Sequence, residues 1–280
     1  MLEIEFGQAT DPGKFRTNNE DCAGCFMPKS RHEVRTRGWL FVLADGVGGL
    51  DRGEVASART VQVITDGFAE AQDNTSLLSL LPRLIQHANA AVHDEGLTRE
   101  RRGRLMASTV VACALRHDQA YVAHVGDSRC YHIHNGHAIQ ITQDHNLAAE
   151  QKRQGLISSA EAADSESRHV LSRALGPERY VTADSTTITL HSGDFLVLCC
   201  DGFYSAVNIS QMVDILSQPK PMEDLAAELV RTAVENDGSD NTTVQVVAIR
   251  SVEPMAMYRG RLYPRHDTER QTHGSRPRDS

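Results

Sequence analysis

A chain of 280 residues with 40% hydrophobic and 24% charged side chains has enough apolar material for one large core, and nothing in its length demands two domains. Its net charge of −8 excludes general nucleic-acid binding and fits a protein that gathers carboxylates around cations. No apolar run approaches the ~18 residues needed to cross a bilayer, and the opening Met1-Leu2-Glu3-Ile4-Glu5 lacks the basic start of an export signal, so a cytoplasmic location without a membrane partner is expected.

The first predicted strand, Ile4 to Thr10, runs into the turn Asp11-Pro12-Gly13, and the segment Arg16-Thr17-Asn18-Asn19-Glu20-Asp21 closes on two adjacent carboxylates. Cys22 and Cys25 form a Cys-x-x-Cys pair with no second pair at zinc-ribbon spacing, so the six cysteines read as reduced; Cys113, Cys199 and Cys200 sit in apolar strands as small hydrophobes. Cys25 to Arg31 also satisfies Cys-x5-Arg, the spacing of a thiol phosphatase. A phosphate cradle needs successive backbone N–H donors, however, and Pro28 removes one while no glycine helps the loop curl.

The stretch Leu40-Phe41-Val42-Leu43-Ala44-Asp45-Gly46-Val47-Gly48-Gly49 is a short continuous apolar run, read as a strand buried on both faces, that ends on a carboxylate and a glycine-rich turn. A charge at the mouth of a dry strand is costly unless something positive compensates it. The pattern recurs in Asp194-Phe195-Leu196-Val197-Leu198-Cys199-Cys200-Asp201-Gly202, and Asp240 leads into a third strand-like run, Asn241 to Ile249. Asp127 ends the predicted strand Ala120 to Val125. An oxygen-rich cluster without Cys or His suits magnesium or manganese, and two such ions can activate a water for attack on phosphorus. Arg16 adds a planar fork of donors matched to phosphate, so the set suggests phosphate-ester hydrolysis.

Between these points, helical spacing predicts a helix from Gly53 to Ala71 and another from an N-cap at Ser76 through Leu80, Leu84, Ala88 and Val92 towards Gly96. The run Arg99 to Arg104 reads as a solvated loop. Strands follow at Thr109 to Leu115, Ala120 to Val125, Cys130 to His134 and His137 to Ile141, the last two joined by the hairpin turn Asn135-Gly136. That hairpin can place His132, His134 and His137 on one face, an arrangement open to a transition metal but with no evident fourth ligand nearby. Short helices are predicted over Leu147 to Gln154 and Ser159 to Ala163, then near Ser210 to Ser217 and from Met222 to Asn236. Beyond Arg250, three prolines, six arginines and no apolar period predict a disordered tail over residues 251–280 after a domain spanning residues 1–250.

In this order, Thr10 to Gly13 with Arg16 to Asp21, Asp45 to Gly49, Gly126-Asp127-Ser128-Arg129, Asp144-His145, Leu171 to Gly176, Asp201-Gly202 and Asp240 to Thr243 resemble the metal-dependent protein phosphatases of the protein phosphatase 2C type. The resemblance spans about Ile4 to Ile249 and implies an α+β fold, a four-layer α-β-β-α sandwich of two mainly antiparallel sheets packed face to face with helices outside. It implies hydrolysis of phosphoserine and phosphothreonine in proteins by in-line attack of a water bridging two Mn2+ or Mg2+ ions. Asp45 would bridge the ions with the Gly46 carbonyl on one and Asp201 and Asp240 on the other; Glu20 and Asp21 would act largely through waters, and Arg16 would hold the phosphoryl oxygens. Asp127 with Asp201 matches the positions of a third ion in some bacterial relatives. Val47 stands where many eukaryotic members have a histidine, which removes a general acid there and points to the bacterial kind. The implied partners are phosphoproteins, targets of a serine/threonine kinase, met by a monomer. The alternative, a non-catalytic phosphoprotein-binding module of the same fold, would be marked by loss of a metal carboxylate, and none is lost.

Overall fold

The computed structural model describes residues 1–47, 52–99, 106–253, 255–258 and 261–264. Gly48, Gly49 and the arginine-rich run after Arg99 fall outside the described residues. In chain order the elements are β1 (Glu3–Asp11), β2 (Asp21–Phe26), α1 (Arg31–Thr36), β3 (Trp39–Asp45), α2 (Gly53–Ala69), α3 (Leu77–Arg99), β4 (Val110–Arg116), β5 (Gln119–Val125), β6 (Arg129–His134) and β7 (His137–Gln140). There follow α4 (Leu147–Arg153), α5 (Ser159–Asp164), a 3-10 turn (Glu166–His169), β8 (Asp184–Thr189), β9 (Phe195–Cys199), α6 (Asp201–Ala206), α7 (Ile209–Leu216), α8 (Met222–Asn236), β10 (Thr242–Ser251), β11 (Met255–Tyr258) and β12 (Arg261–Pro264).

The strands form two five-stranded sheets, β1-β10-β9-β6-β7 and β2-β3-β4-β5-β8, every pairing antiparallel. The expected α+β sandwich is therefore the architecture. Its layering follows from strands that are apolar on both faces. Phe41, Leu43, Val111, Cys113 and Leu115 point into the core shared with the other sheet, beside Val197 and Val246. Their alternate neighbours Leu40, Val42, Ala44, Val110, Ala112 and Ala114 pack against Ile64, Phe68, Leu81 and Ile85 of α2 and α3. Strand alternation thus divides one apolar run between two cores. Each Val, Leu, Ile or Phe among them contributes roughly 1.5–3 kcal/mol by burial. On the outer face of the first sheet, α8 lays Leu225, Ala226, Leu229 and Ala233 over β1 and β10.

Before the tail, two strands and two α-helices escape sequence reading. β2 (DCAGCF) carries a central glycine, and β8 (DSTTIT) alternates exposed and half-buried polar residues, so neither offers an apolar run. α1 is too short to show a period, and α6 begins with Asp-Gly, a turn signal. In the tail, where no element was predicted, β11 and β12 pair as a separate two-stranded ribbon. Among the described residues no helix is long and apolar enough to cross a membrane.

Candidate active site

Antiparallel connectivity delivers the predicted carboxylates to one end of the sandwich. β3 ends where β2 begins, and the register sets Asp21 directly opposite Asp45. β5 ends two residues before Asp127, β9 ends two residues before Asp201, and β10 begins two residues after Asp240. Glu20 precedes β2, and its main chain is fixed by Gly46 N–H to Glu20 O at 3.0 Å. Gly46 faces Gly53 at the start of α2 so closely that a Cβ on Gly46 would lie 2.3 Å from the Gly53 carbonyl. Only glycine allows the turn after Asp45 and the head of α2 to meet beside the Glu20 carboxylate.

The carboxylates repel one another; Asp127 is buried, and Glu20, Asp21, Asp45, Asp201 and Asp240 are half-buried. Burial pushes Asp45 well above the usual carboxylate range, reinforced by the charges of Asp21, Asp201, Asp127 and Asp240. Burial likewise raises Asp21 to about 7, against the hydrogen bond that Thr243 Oγ1 donates to its Oδ2 at 2.7 Å. Asp127 reaches about 7 through burial and the charges of Asp201 and Asp144. Asp201 is raised by burial and Asp240, while His169 draws it down. Burial also raises Glu20. Asp21 Oδ1 is buried with no hydrogen-bond partner. A polypeptide does not hold so many acidic groups together without a counter-charge, and an all-oxygen donor set of this kind fits hard divalent cations. Arg16 Nη2 donates to Asp240 Oδ2 at 2.9 Å, so the predicted phosphate-binding residue sits within the same group of side chains.

Several residues that organise the site carried no predicted role. Thr109 Oγ1 accepts from Asp45 N–H at 3.1 Å, and Ser108 Oγ donates to Asp45 O at 3.0 Å. His145, pushed down to about 4 by burial, stays neutral; its Nδ1 accepts from Gly126 N–H at 3.2 Å and its Nε2 meets Asp184 Oδ2 at 3.1 Å, which fixes the turn leading to Asp127. Arg129 forms a forked pair with Asp144 and stacks 3.4 Å above the Tyr204 ring, bracing the wall next to Asp201. The motifs Asp144-His145 and Gly126-Asp127-Ser128-Arg129 were the available signals for His145 and for the Arg129–Asp144 pair.

Asn241 is the tie between loop and sheet. Its Oδ1 accepts from Glu20 N–H at 2.8 Å, and its Nδ2 donates to Pro12 O and Asn18 O, each at 2.9 Å. Asn241→Ala would leave these backbone groups without partners and should destabilise the fold by roughly 2–4 kcal/mol. Thermal or urea unfolding checks this; a loss below about 1 kcal/mol would show that the loop holds without the amide.

The thiol alternative meets opposing geometry. Cys25 lies mid-strand in β2 opposite Phe41, and burial raises its pKa, which disfavours the thiolate.

A cluster of carboxylates at one end of an α-β-β-α sandwich is the arrangement of a metal-dependent phosphatase. A family model described as protein phosphatase 2C matches residues 8–242. The chain belongs to the protein phosphatase 2C family and is a protein serine/threonine phosphatase. It is 33% identical over 246 residues to the serine/threonine phosphatase Stp of Listeria innocua, covering 85% of this chain and 93% of that one. It is 30% identical over 248 residues to the protein phosphatase PhpP of Streptococcus pneumoniae, covering 88% and 98%. Among solved structures, Stp1 of Staphylococcus aureus superposes with a TM-score of 0.80 at 29% identity over 90% of this chain and 96% of that one. The catalytic domain of PstP in complex with two manganese ions superposes with a TM-score of 0.75 at 27% identity, covering 90% and 100%.

Proposed function

We propose that this protein removes phosphate from phosphoserine and phosphothreonine in proteins, with Asp45, the Gly46 carbonyl, Asp201 and Asp240 holding two Mn2+ or Mg2+ ions and Arg16 receiving the phosphoryl group. The observation that carries the reading is the convergence of Asp21, Asp45, Asp127, Asp201 and Asp240 into one cluster, in which desolvation and like charge raise the proton affinity of Asp21, Asp45, Asp127 and Asp201. When bound, the two cations supply an activated water and neutralise the charge that builds on phosphorus. Asp45, raised by burial and by the charges of Asp21, Asp201, Asp127 and Asp240, would hold the cations most strongly. Glu20 and Asp21 act at one remove, orienting water, and Asp127 with Asp201 forms a third cation position. Arg16, paired with Asp240 at 2.9 Å, would present its fork of donors to the phosphoryl oxygens of a substrate at this cluster.

The substrate approaches along a cleft of about 670 Å³ that reaches the carboxylates at Asp201 and is lined by Arg129, Asp144, Lys152, Arg153 and Arg168. The size and predominantly basic walls suit an extended phosphorylated segment of a polypeptide, a target of a serine/threonine kinase. The enzyme works as a cytoplasmic monomer on this reading. On this reading residues 1–250 form the catalytic domain, and the tail starts at Ser251, the last residue of β10.

The test is turnover of phosphoserine and phosphothreonine peptides. Hydrolysis is expected with Mn2+, is lost with a chelator, is restored by added metal, and is unchanged in Cys25→Ser. Turnover that survives chelation and disappears in Cys25→Ser would replace this reading with a thiol mechanism.

A further inference from the structure

At the pole of the sandwich away from the carboxylates, three histidines converge on one aspartate. Alternation along β6 puts His132 and His134 on the same face. Extending the β6–β9 register by one residue sets His134 opposite Asp194. The turn before β9 is closed by Asp194 N–H to His191 O at 3.1 Å and by His191 N–H to Asp194 Oδ2 at 2.9 Å, which folds His191 over the same carboxylate. His134 Nδ1 then lies 2.6 Å from Asp194 Oδ1, His132 Nε2 lies 2.8 Å from Oδ2, and His191 Nδ1 lies 3.7 Å from Oδ2. The Asp194 side chain is 1% exposed, whereas those of His134 and His191 are 44% and 59% exposed.

We propose that His134, His191 and Asp194 form a second metal site, for a transition-metal ion of the zinc class, separate from the catalytic carboxylates. One ligand atom from each of the three lies within 4.8 Å of the others. In a tetrahedral zinc site, with bonds of about 2.0–2.2 Å, neighbouring ligand atoms stand somewhat closer than that. Rotation of two solvent-facing imidazoles supplies the difference without moving the backbone. Two imidazoles and a carboxylate are a zinc donor set, in contrast to the all-oxygen catalytic cluster, so the two sites select different ions.

The surroundings match the needs of such a site. His132 occupies Asp194 Oδ2 and leaves Oδ1 directed at His134, the orienting contact that a ligating carboxylate requires. Asn135 Nδ2 lies 2.9 Å from His134 Nε2. Turning that amide over would present its oxygen to the Nε2–H that a metal on Nδ1 demands. The exposed side leaves a fourth position for water. His137, opposite His134 in the hairpin register, is not one of the three. Asp194 and Asp201 bracket β9, about 20 Å apart along an extended chain, so the sites can be loaded independently.

Zinc uptake by the full chain in millimolar Mg2+, followed by calorimetry and with cobalt as a visible-absorption probe, tests the proposal. One equivalent of zinc is expected on the native protein, at least tenfold weaker binding in His191→Ala and in His134→Ala, and no change in His137→Ala. His191 lies on an exposed turn, so His191→Ala should keep its circular dichroism and its Mn2+-dependent turnover even if His134→Ala folds poorly. Equal zinc affinity in His191→Ala and the native chain, no zinc uptake by the native chain, or loss of the zinc site in Asp201→Asn would each overturn the assignment. None of these outcomes bears on the phosphatase reading.

Discussion

Asp45→Asn should lower Mn2+-dependent phosphopeptide turnover on the order of 10³-fold, the rate equivalent of roughly 4 kcal/mol, and yet raise the melting temperature of the chelated protein. The first effect follows if a carboxylate shared between two cations becomes a neutral amide of the same shape, because the cations lose their common anchor and several kcal/mol of transition-state stabilisation. The second follows from the metal-free electrostatics. Asp45 is raised well above its ordinary value by burial and by four neighbouring carboxylates. The folded protein therefore keeps a proton that the unfolded chain releases above pH ~4, and stability falls as pH rises through that window. Asparagine carries no such penalty, so the gain should be larger at pH 8 than at pH 5. Each kcal/mol recovered should appear as about 2–4 °C in a domain of this size. Full turnover in Asp45→Asn would remove this residue from the catalytic centre.

The apparent affinity for Mn2+ should rise steeply with pH through neutrality. Asp21 and Asp127 both titrate at about 7 in the metal-free protein, pushed up first by burial and then by neighbouring charge. A cation must displace those protons, so its apparent affinity gains up to about tenfold per pH unit for each proton expelled. Without metal, these raised carboxylates contribute stability that is fully present below pH ~4 and lost as pH rises towards 7. His145 acts in the opposite sense: pushed down to about 4, it stays neutral in the fold and costs stability as pH falls from 6.5 towards 4. The chelated protein should therefore be most stable in mildly acid solution, and Mn2+ should shift the optimum upward. Melting curves with chelator and with fixed Mn2+ across pH 5–9 measure both effects. A metal-induced shift independent of pH would mean that the carboxylates are already ionised.

Much of the site was legible because Asp45, Asp127, Asp201 and Asp240 lie close to the ends of strands whose apolar pattern is local. Leu40 to Ala44 and Phe195 to Cys199 announce themselves as buried strands, and Asp45 and Asp201 stand where those runs stop. The hairpin at Asn135-Gly136 and the helices α2, α3 and α8 were readable for the same reason, since periodicity and turn chemistry are written within a few consecutive residues. β2 and β8 were not, because their place in the sheet comes from pairing with β3 and β5 and owes little to side-chain pattern.

By itself, then, the sequence determined the strand-forming runs, the acidic residue types and the family pattern that joins them. Only the tertiary structure decided that Asp21 faces Asp45, that Thr243 supports Asp21, that Asn241 ties down the loop before Glu20, that Arg16 rests on Asp240, and that the hairpin histidines meet Asp194 and His191. The reason is physical: apolar periodicity is a property of neighbours in the chain, whereas register, desolvation and charge repulsion are properties of neighbours in space, and these come from opposite ends of the polypeptide.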